Sequence, residues 1–107
     1  MSDLNESGAR VYVELWISLV SLLRSYTAVH GLNGNRQASI VHDDRRILIC
    51  HKSKWLALGR QGAIVKWARD DGSQGTLEIM ETGRLRSNSS EEEMDMAAEA
   101  WARELMQ

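Results

Sequence analysis

The adjacent pair Cys50-His51 is the first place where neighbouring residue types could do chemistry, because an imidazole can activate a thiol as a nucleophile. The surrounding segment 46–51 is apolar and predicts a strand. Successive side chains of a strand point to opposite faces, so the thiol and the imidazole would diverge. Cys50 shares its parity with Leu48, and we expect it to pack as a small apolar residue.

Three histidines, at positions 30, 42 and 51, raise the question of a metal site. In a hairpin that turns at residues 43–45, His42 lies beside the turn and His51 lies at the far end, roughly 16 Å away at a rise of ~3.3 Å per residue. Tetrahedral zinc requires converging ligands at ~2 Å, and His30 belongs to a different element. We therefore predict no metal site and no cofactor.

Two pairs of carboxylates, Asp43-Asp44 and Asp70-Asp71, could be read as acid–base couples. Both pairs fall in predicted hairpin turns, where Asp bonds its own backbone and tolerates left-handed geometry. The glycines form neither of the two common phosphate-binding motifs, G-x-G-x-x-G and G-x-x-x-x-G-K-[ST]. We assign no catalytic residue, and the sequence favours a function other than catalysis.

Tryptophans interleaved with cations are the one pattern that suggests nucleic-acid binding, since single-strand binders stack bases on aromatic rings and contact phosphates with cations. The residues that fit are Lys54, Trp55, Lys66, Trp67 and Arg69. The chain contains no Phe, so Trp must also fill the core. Its pI of about 5.9 lies below the range typical of nucleic-acid-binding domains. Binding of single-stranded nucleic acid is therefore an alternative, not the leading hypothesis.

Composition predicts one globular domain over residues 1–107, because 43% of the residues are hydrophobic and 26% are charged. The single cysteine excludes an internal disulfide, and the first residues are polar and acidic, unlike a signal peptide. We therefore expect a cytoplasmic protein. The apolar stretch 11–29 contains Glu14 and Arg24, which would be costly in lipid, so we expect no membrane span.

The predicted fold is α+β, with a long N-terminal helix, an antiparallel meander of four to five strands and a C-terminal helix. Apolar residues at helical spacing place the first helix at about Ser7 to His30. Short connections require an antiparallel meander, whose expected strands are 38–42, 46–51, 54–60, 63–69 and 75–80, with 84–86 extending the edge. The last helix is expected to start at Ser89 or Ser90, because Ser90 and Glu93 have the spacing of a capping box.

Alternation along the predicted strands assigns their faces. The residues expected to point inward are Leu56, Leu58, Val65, Trp67, Leu77 and Ile79. The second strand, Ile47-Leu48-Ile49-Cys50, is apolar on both faces, which is typical of a strand that is covered twice.

The first helix has a wider apolar surface than one core requires. One row consists of Val11, Leu15, Leu22, Tyr26 and Val29, and a second row consists of Tyr12, Trp16, Leu19 and Leu23. One row can cover the sheet, and the other must be covered by the last helix or by a second molecule.

Our leading hypothesis is therefore a non-enzymatic protein-interaction module, a homodimer that associates through Tyr12, Trp16, Leu19 and Leu23. Two alternatives stay open: another protein in place of the second copy, and an exposed edge of the sheet in place of the helix face. A further alternative is a carrier that holds a small apolar ligand between the first helix and the sheet.

Overall fold

The computed structural model describes residues 2–31, 38–88 and 90–107. In this part of the chain a helix α1, Ser2–Gly31, precedes an antiparallel sheet and a closing helix α2, Met94–Met106, which confirms the α+β class. The strands are β1 Ser39–His42, β2 Arg46–His51, β3 Lys54–Gln61, β4 Ile64–Arg69, β5 Gln74–Ile79, β6 Arg84–Ser87 and β7 Ser90–Glu93.

The sheet is a meander in which each strand pairs with its neighbours in sequence. Tight turns join the strands, and three of them contain a glycine with positive φ, namely Gly62, Gly72 and Gly83 with φ of 63°, 90° and 88°. The β1–β2 turn instead uses Asp43, whose carboxylate accepts the main-chain N–H groups of Arg45 and Arg46, both at 2.8 Å. The turn chemistry expected of Asp43 is thus present.

Seven strands occur in the described residues, more than the four to five predicted, and the difference lies at the end of the sheet. Ser90–Glu93 forms β7 instead of the first turn of the last helix, which begins at Met94. Register places Glu93 opposite Arg84 and Glu91 opposite Arg86, and such opposite-charge pairs stabilise a sheet. Cross-strand pairing therefore outweighs the capping pattern at Ser90, while Ser89 lies outside the described residues.

Both helices pack on one face of the sheet, which we call the covered face. Its buried apolar strand residues are Ile47, Ile49, Leu56, Leu58, Val65, Leu77, Ile79 and Leu85, and His51 of β2 is buried beside them. These include five of the six positions predicted to point inward, and Trp67 is partly buried on the same face. Met94, Ala97, Ala98 and Leu105 of α2 complete the core.

Polar contacts also join the helices to each other within residues 10–31 and 94–106. The Tyr26 hydroxyl donates to the Asp95 carboxylate at 2.6 Å, and His30 Nε2 lies 2.7 Å from a carboxylate oxygen of Glu99. Tyr26 belongs to the apolar row of α1 that does not cover the sheet, so α2 covers part of that row. No helix in residues 2–31 or 90–107 is long and apolar enough to span a membrane.

Candidate functional site

The predicted interaction residues of α1 lie inside the core of the single chain. Trp16, Leu19 and Leu23 are each 0% exposed, and Tyr12 is partly buried against the same cluster. The Trp16 indole also donates to the carbonyl oxygen of Asp43 at 2.8 Å. These side chains cover the sheet, so they could contact a second copy only if α1 left the sheet.

Within residues 10–31, the remaining apolar surface of α1 is discontinuous. Leu15, Leu22 and Tyr26 are partly buried against the core, whereas Ile17 and Val29 are each 58% exposed. Ile17 and Val29 are twelve residues apart, which corresponds to ~18 Å along the helix. They do not form one contiguous patch, so the surplus surface predicted for α1 is mostly covered within the chain.

The predicted nucleic-acid set is divided between the two faces of the sheet. Register places Trp55 and Lys66 on the face without helices. The other three residues lie on the covered face, where Arg69 forms an ion pair with Glu104 and Lys54 donates to the Glu104 carbonyl at 3.3 Å. The set therefore does not form one surface on which a strand of bases could stack.

The face of the sheet opposite the helices, which we call the open face, carries a row of apolar side chains across four strands. Val41, Leu48, Ala57 and Ala68 are successive register partners, so they lie side by side. Val41 is 65% exposed and Leu48 is 41% exposed. We call these four residues the apolar row.

The residues on either side of the apolar row differ in size. On one side Cys50 pairs with Trp55, which is 37% exposed, and on the other side Arg46 pairs with Gly59. A Cβ added at Gly59 would meet no atom within 4 Å, so the open face has a depression at that position. A shallow hollow of about 670 Å³ lies over this region, lined mainly by Leu48, Ala57, Gly59, Lys66, Ala68 and Thr76.

Charges of opposite sign flank the apolar row at its two sides. Arg46 and Lys66 lie beyond one side, and Asp70 and Asp71 follow the end of β4 beyond the other. The hydroxyl and main-chain N–H of Ser73 donate to Asp71, which lowers the pKa of that carboxyl. The apolar row thus has Arg46 and Lys66 at one side and the Asp70 carboxylate, which accepts the Trp55 N–H at 3.0 Å, at the other.

The three histidines lie on separate elements and have separate neighbours. His30 contacts Glu99, and His42 lies 3.3 Å from a guanidinium nitrogen of Arg24. His51 is 4% exposed, and its Nδ1 lies 3.2 Å from the Leu105 carbonyl oxygen. Within the ranges that the structure describes, no three His, Cys, Asp or Glu side chains are grouped to hold a metal ion.

The space between α1 and the sheet is filled by core side chains, which does not favour a ligand there. The sequence did carry the signal for the open face, because the second strand is apolar on both of its faces. In the single chain only one of those faces is covered. Comparisons with protein-family models, with curated proteins and with solved structures found no match to this chain.

Proposed function

We propose that this chain is a non-enzymatic interaction module that forms a homodimer through the open face of its sheet. The observation that carries the proposal is the exposure of Val41 and Leu48 on neighbouring strands, β1 and β2, of the face that neither helix covers. Contiguous exposed apolar surface typically marks an interaction site. A strand that is apolar on both faces is also typical of a sheet that is covered on both sides.

A second copy is the occupant that the shape of this face favours. Consider a two-fold axis that lies between the two copies, runs perpendicular to the strands and passes above Ala57 and Ala68. Trp55 and Gly59 lie two residues on either side of Ala57, so this axis brings Trp55 of each copy over Gly59 of the other. The largest side chain of the face would then fill its lowest point, as expected of a self-complementary interface.

Charge supports the same axis. Lys66 and Asp70 lie two residues on either side of Ala68, so the operation that pairs Trp55 with Gly59 also brings Lys66 of one copy to Asp70 of the other. Complementary charges at the rim of an apolar patch fix register and suppress wrong pairings. An arbitrary partner protein would have to supply both features, whereas a second copy supplies them by symmetry.

The size of the open face indicates a weak dimer. Seven strands spaced at ~4.8 Å give a width of about 29 Å, and a strand of six residues is about 20 Å long. Face-to-face packing would then bury on the order of 1,100 Å² in total, close to the lower limit for a specific interface. We therefore expect a dissociation constant in the micromolar range.

We also propose that the protein works in a reducing compartment, such as the cytoplasm, where its single cysteine, Cys50, stays a thiol.

Sedimentation equilibrium of the purified chain, from about 1 µM to about 500 µM, tests the proposal. We expect a monomer–dimer equilibrium in the wild type and a monomer at all concentrations in Leu48→Glu, because the variant places two carboxylates inside the interface. Ile17→Glu is the matched control, since it makes the same change at an exposed apolar residue on α1. Equal dimerisation of Leu48→Glu and the wild type would contradict the proposal.

Native mass spectrometry of the same samples separates the alternatives. A monomer that carries the mass of an apolar compound would indicate a ligand carrier, and loss of that mass in Leu48→Glu would place the compound in the hollow on the open face. Salt-dependent quenching of tryptophan fluorescence by oligonucleotides would indicate nucleic-acid binding instead. Either result, in a chain that stays monomeric, would replace the dimer proposal.

A further inference from the structure

A second concave region lies at the end of the sheet, between the β1–β2 turn and the β3–β4 turn. This cleft has a volume of about 660 Å³, within the range of small-molecule sites. The side chain of Val13 borders it from α1. Its remaining lining residues are Asp44, Arg45, Arg46, Gly59, Arg60, Gln61, Gly62, Ile64 and Lys66.

Positive charge is concentrated in this cleft, although the chain as a whole has a net charge of −2. Four cations, Arg45, Arg46, Arg60 and Lys66, line it together with the single carboxylate of Asp44. Within residues 10–31, 38–88 and 90–107, the basic residues that form ion pairs with carboxylates are His30, Arg69, Arg86 and Arg103, and these do not line the cleft. The neighbouring carboxylate of Asp43 is occupied by the main-chain N–H groups of its own turn.

Arg60 fixes the two walls of the cleft relative to each other. Its Nε and Nη2 donate to the Asp44 carbonyl at 3.0 and 2.5 Å, and its Nη1 donates to the Gly62 carbonyl at 2.9 Å. Its guanidinium also lies 5.8 Å from the centroid of the Trp16 ring, which is part of the core. Arg60 thus bridges both turns through neutral carbonyls, so its own charge is not cancelled.

We propose that this cleft binds a small molecule that carries two or more phosphate groups. The lining charges leave an excess of three positive charges, which matches a multivalent anion, and guanidinium groups bind phosphate oxygens in pairs. No aromatic ring is among the lining residues of this cleft, so a base of a nucleic-acid strand has nothing to stack on. The cations also surround a single cleft, whereas a protein that binds a nucleic-acid strand holds its backbone along an extended positively charged groove.

Isothermal titration calorimetry with inorganic pyrophosphate, and separately with tripolyphosphate, tests the site. We expect one site per chain and an affinity that falls as salt is added. Arg45→Gln removes a cation that the open-face dimer does not use, and it should weaken binding about tenfold, as expected for one charge-assisted contact. Arg45→Lys keeps the charge but loses the paired donors, so its affinity should lie between those of Arg45→Gln and the wild type.

Arg103→Gln is the matched control, because it removes an exposed arginine of α2 that is remote from the cleft. It should leave the affinity for pyrophosphate within about twofold of the wild type. The Leu48→Glu variant, which should stay monomeric, should still bind pyrophosphate at one site per chain, because Leu48 does not line the cleft. This separates the site from the dimer, whose proposed interface shares Gly59 and Lys66 with the cleft. Absence of saturable binding, or equal losses in Arg45→Gln and Arg103→Gln, would overturn the proposal.

Discussion

The indole of Trp16 donates a hydrogen bond to the main-chain carbonyl of Asp43, 27 residues later in the chain. The same Asp43 closes the β1–β2 turn through its side chain, which accepts the N–H groups of Arg45 and Arg46. One residue therefore holds the turn with its carboxylate and holds α1 with its carbonyl. This contact ties the middle of α1 to one end of the sheet.

Loss of the Trp16 side chain should strongly destabilise the fold. Trp16→Ala removes a fully buried ring and leaves a cavity, for which we expect a loss of about 3–5 kcal/mol in the free energy of unfolding, measured by urea denaturation. The adjacent Ile17→Ala changes a residue that is 58% exposed and should alter that free energy by less than about 0.5 kcal/mol. Similar losses in the two variants would show that Trp16 is not part of the core.

A methyl group at Gly75 should collide with the ring of Trp67. A Cβ built at Gly75 lies 2.8 Å from Cζ2 of that ring, on the adjacent strand β4. We expect Gly75→Ala to lower the free energy of unfolding by about 1–3 kcal/mol in urea denaturation, because the ring must move within a packed face.

Gly59→Ala is the matched control for that change, since Gly59 also lies inside a strand but has no atom within 4 Å of its Cβ position. Measured at submicromolar concentration, where the dimer is dissociated, Gly59→Ala should be neutral or stabilising by up to about 1 kcal/mol. If both variants lose the same stability, the close approach of Trp67 to Gly75 is not the cause.

Tyr26 should make stability decrease at alkaline pH. Its hydroxyl donates to Asp95, and this hydrogen bond, with a smaller contribution from desolvation, raises the pKa of Tyr26 above its ordinary value of 10.0. The folded state therefore holds the proton more tightly than the unfolded state. The stabilisation is complete below the unfolded pKa and is lost as pH rises through the raised folded pKa.

Ultraviolet absorbance of the phenolate measures this titration, and Asp95→Asn removes the acceptor charge. The pKa of Tyr26 in Asp95→Asn should fall toward the ordinary value, while Tyr26→Phe removes the signal that belongs to this residue. An unchanged titration in Asp95→Asn would mean that α1 and α2 are not joined by this contact.

Much of the fold follows from periodicity in the sequence. The inward positions of β3 to β5 were predicted by alternation, and Leu56, Leu58 and Val65 are buried as expected. Periodicity could not decide which apolar row of α1 meets the sheet, because both rows are wide enough. That choice depends on tertiary contacts, such as the bond from Trp16 to Asp43 and the contact of Tyr26 with α2.

The end of the sheet and the candidate site were harder to predict, for different reasons. Residues 90–93 have helical capping spacing, and their strand pairing depends on the charges of β6 across from them. Leu48 and Cys50 were identified as apolar on the second face of their strand, but sequence could not show that both helices lie on the other face. Hence the interaction residues were assigned to α1, where Trp16, Leu19 and Leu23 are fully buried.

The single cysteine gives the most direct test of the proposed interface, because Cys50 lies on the open face beside Leu48. Its rate constant for alkylation by N-ethylmaleimide is measured by mass spectrometry after short pulses, at protein concentrations from about 1 µM to about 500 µM. The dimer predicts that this rate constant falls several-fold in the wild type as concentration rises, and that it stays constant in Leu48→Glu. A wild-type rate constant that does not change, in samples that contain dimer, would contradict association through this face.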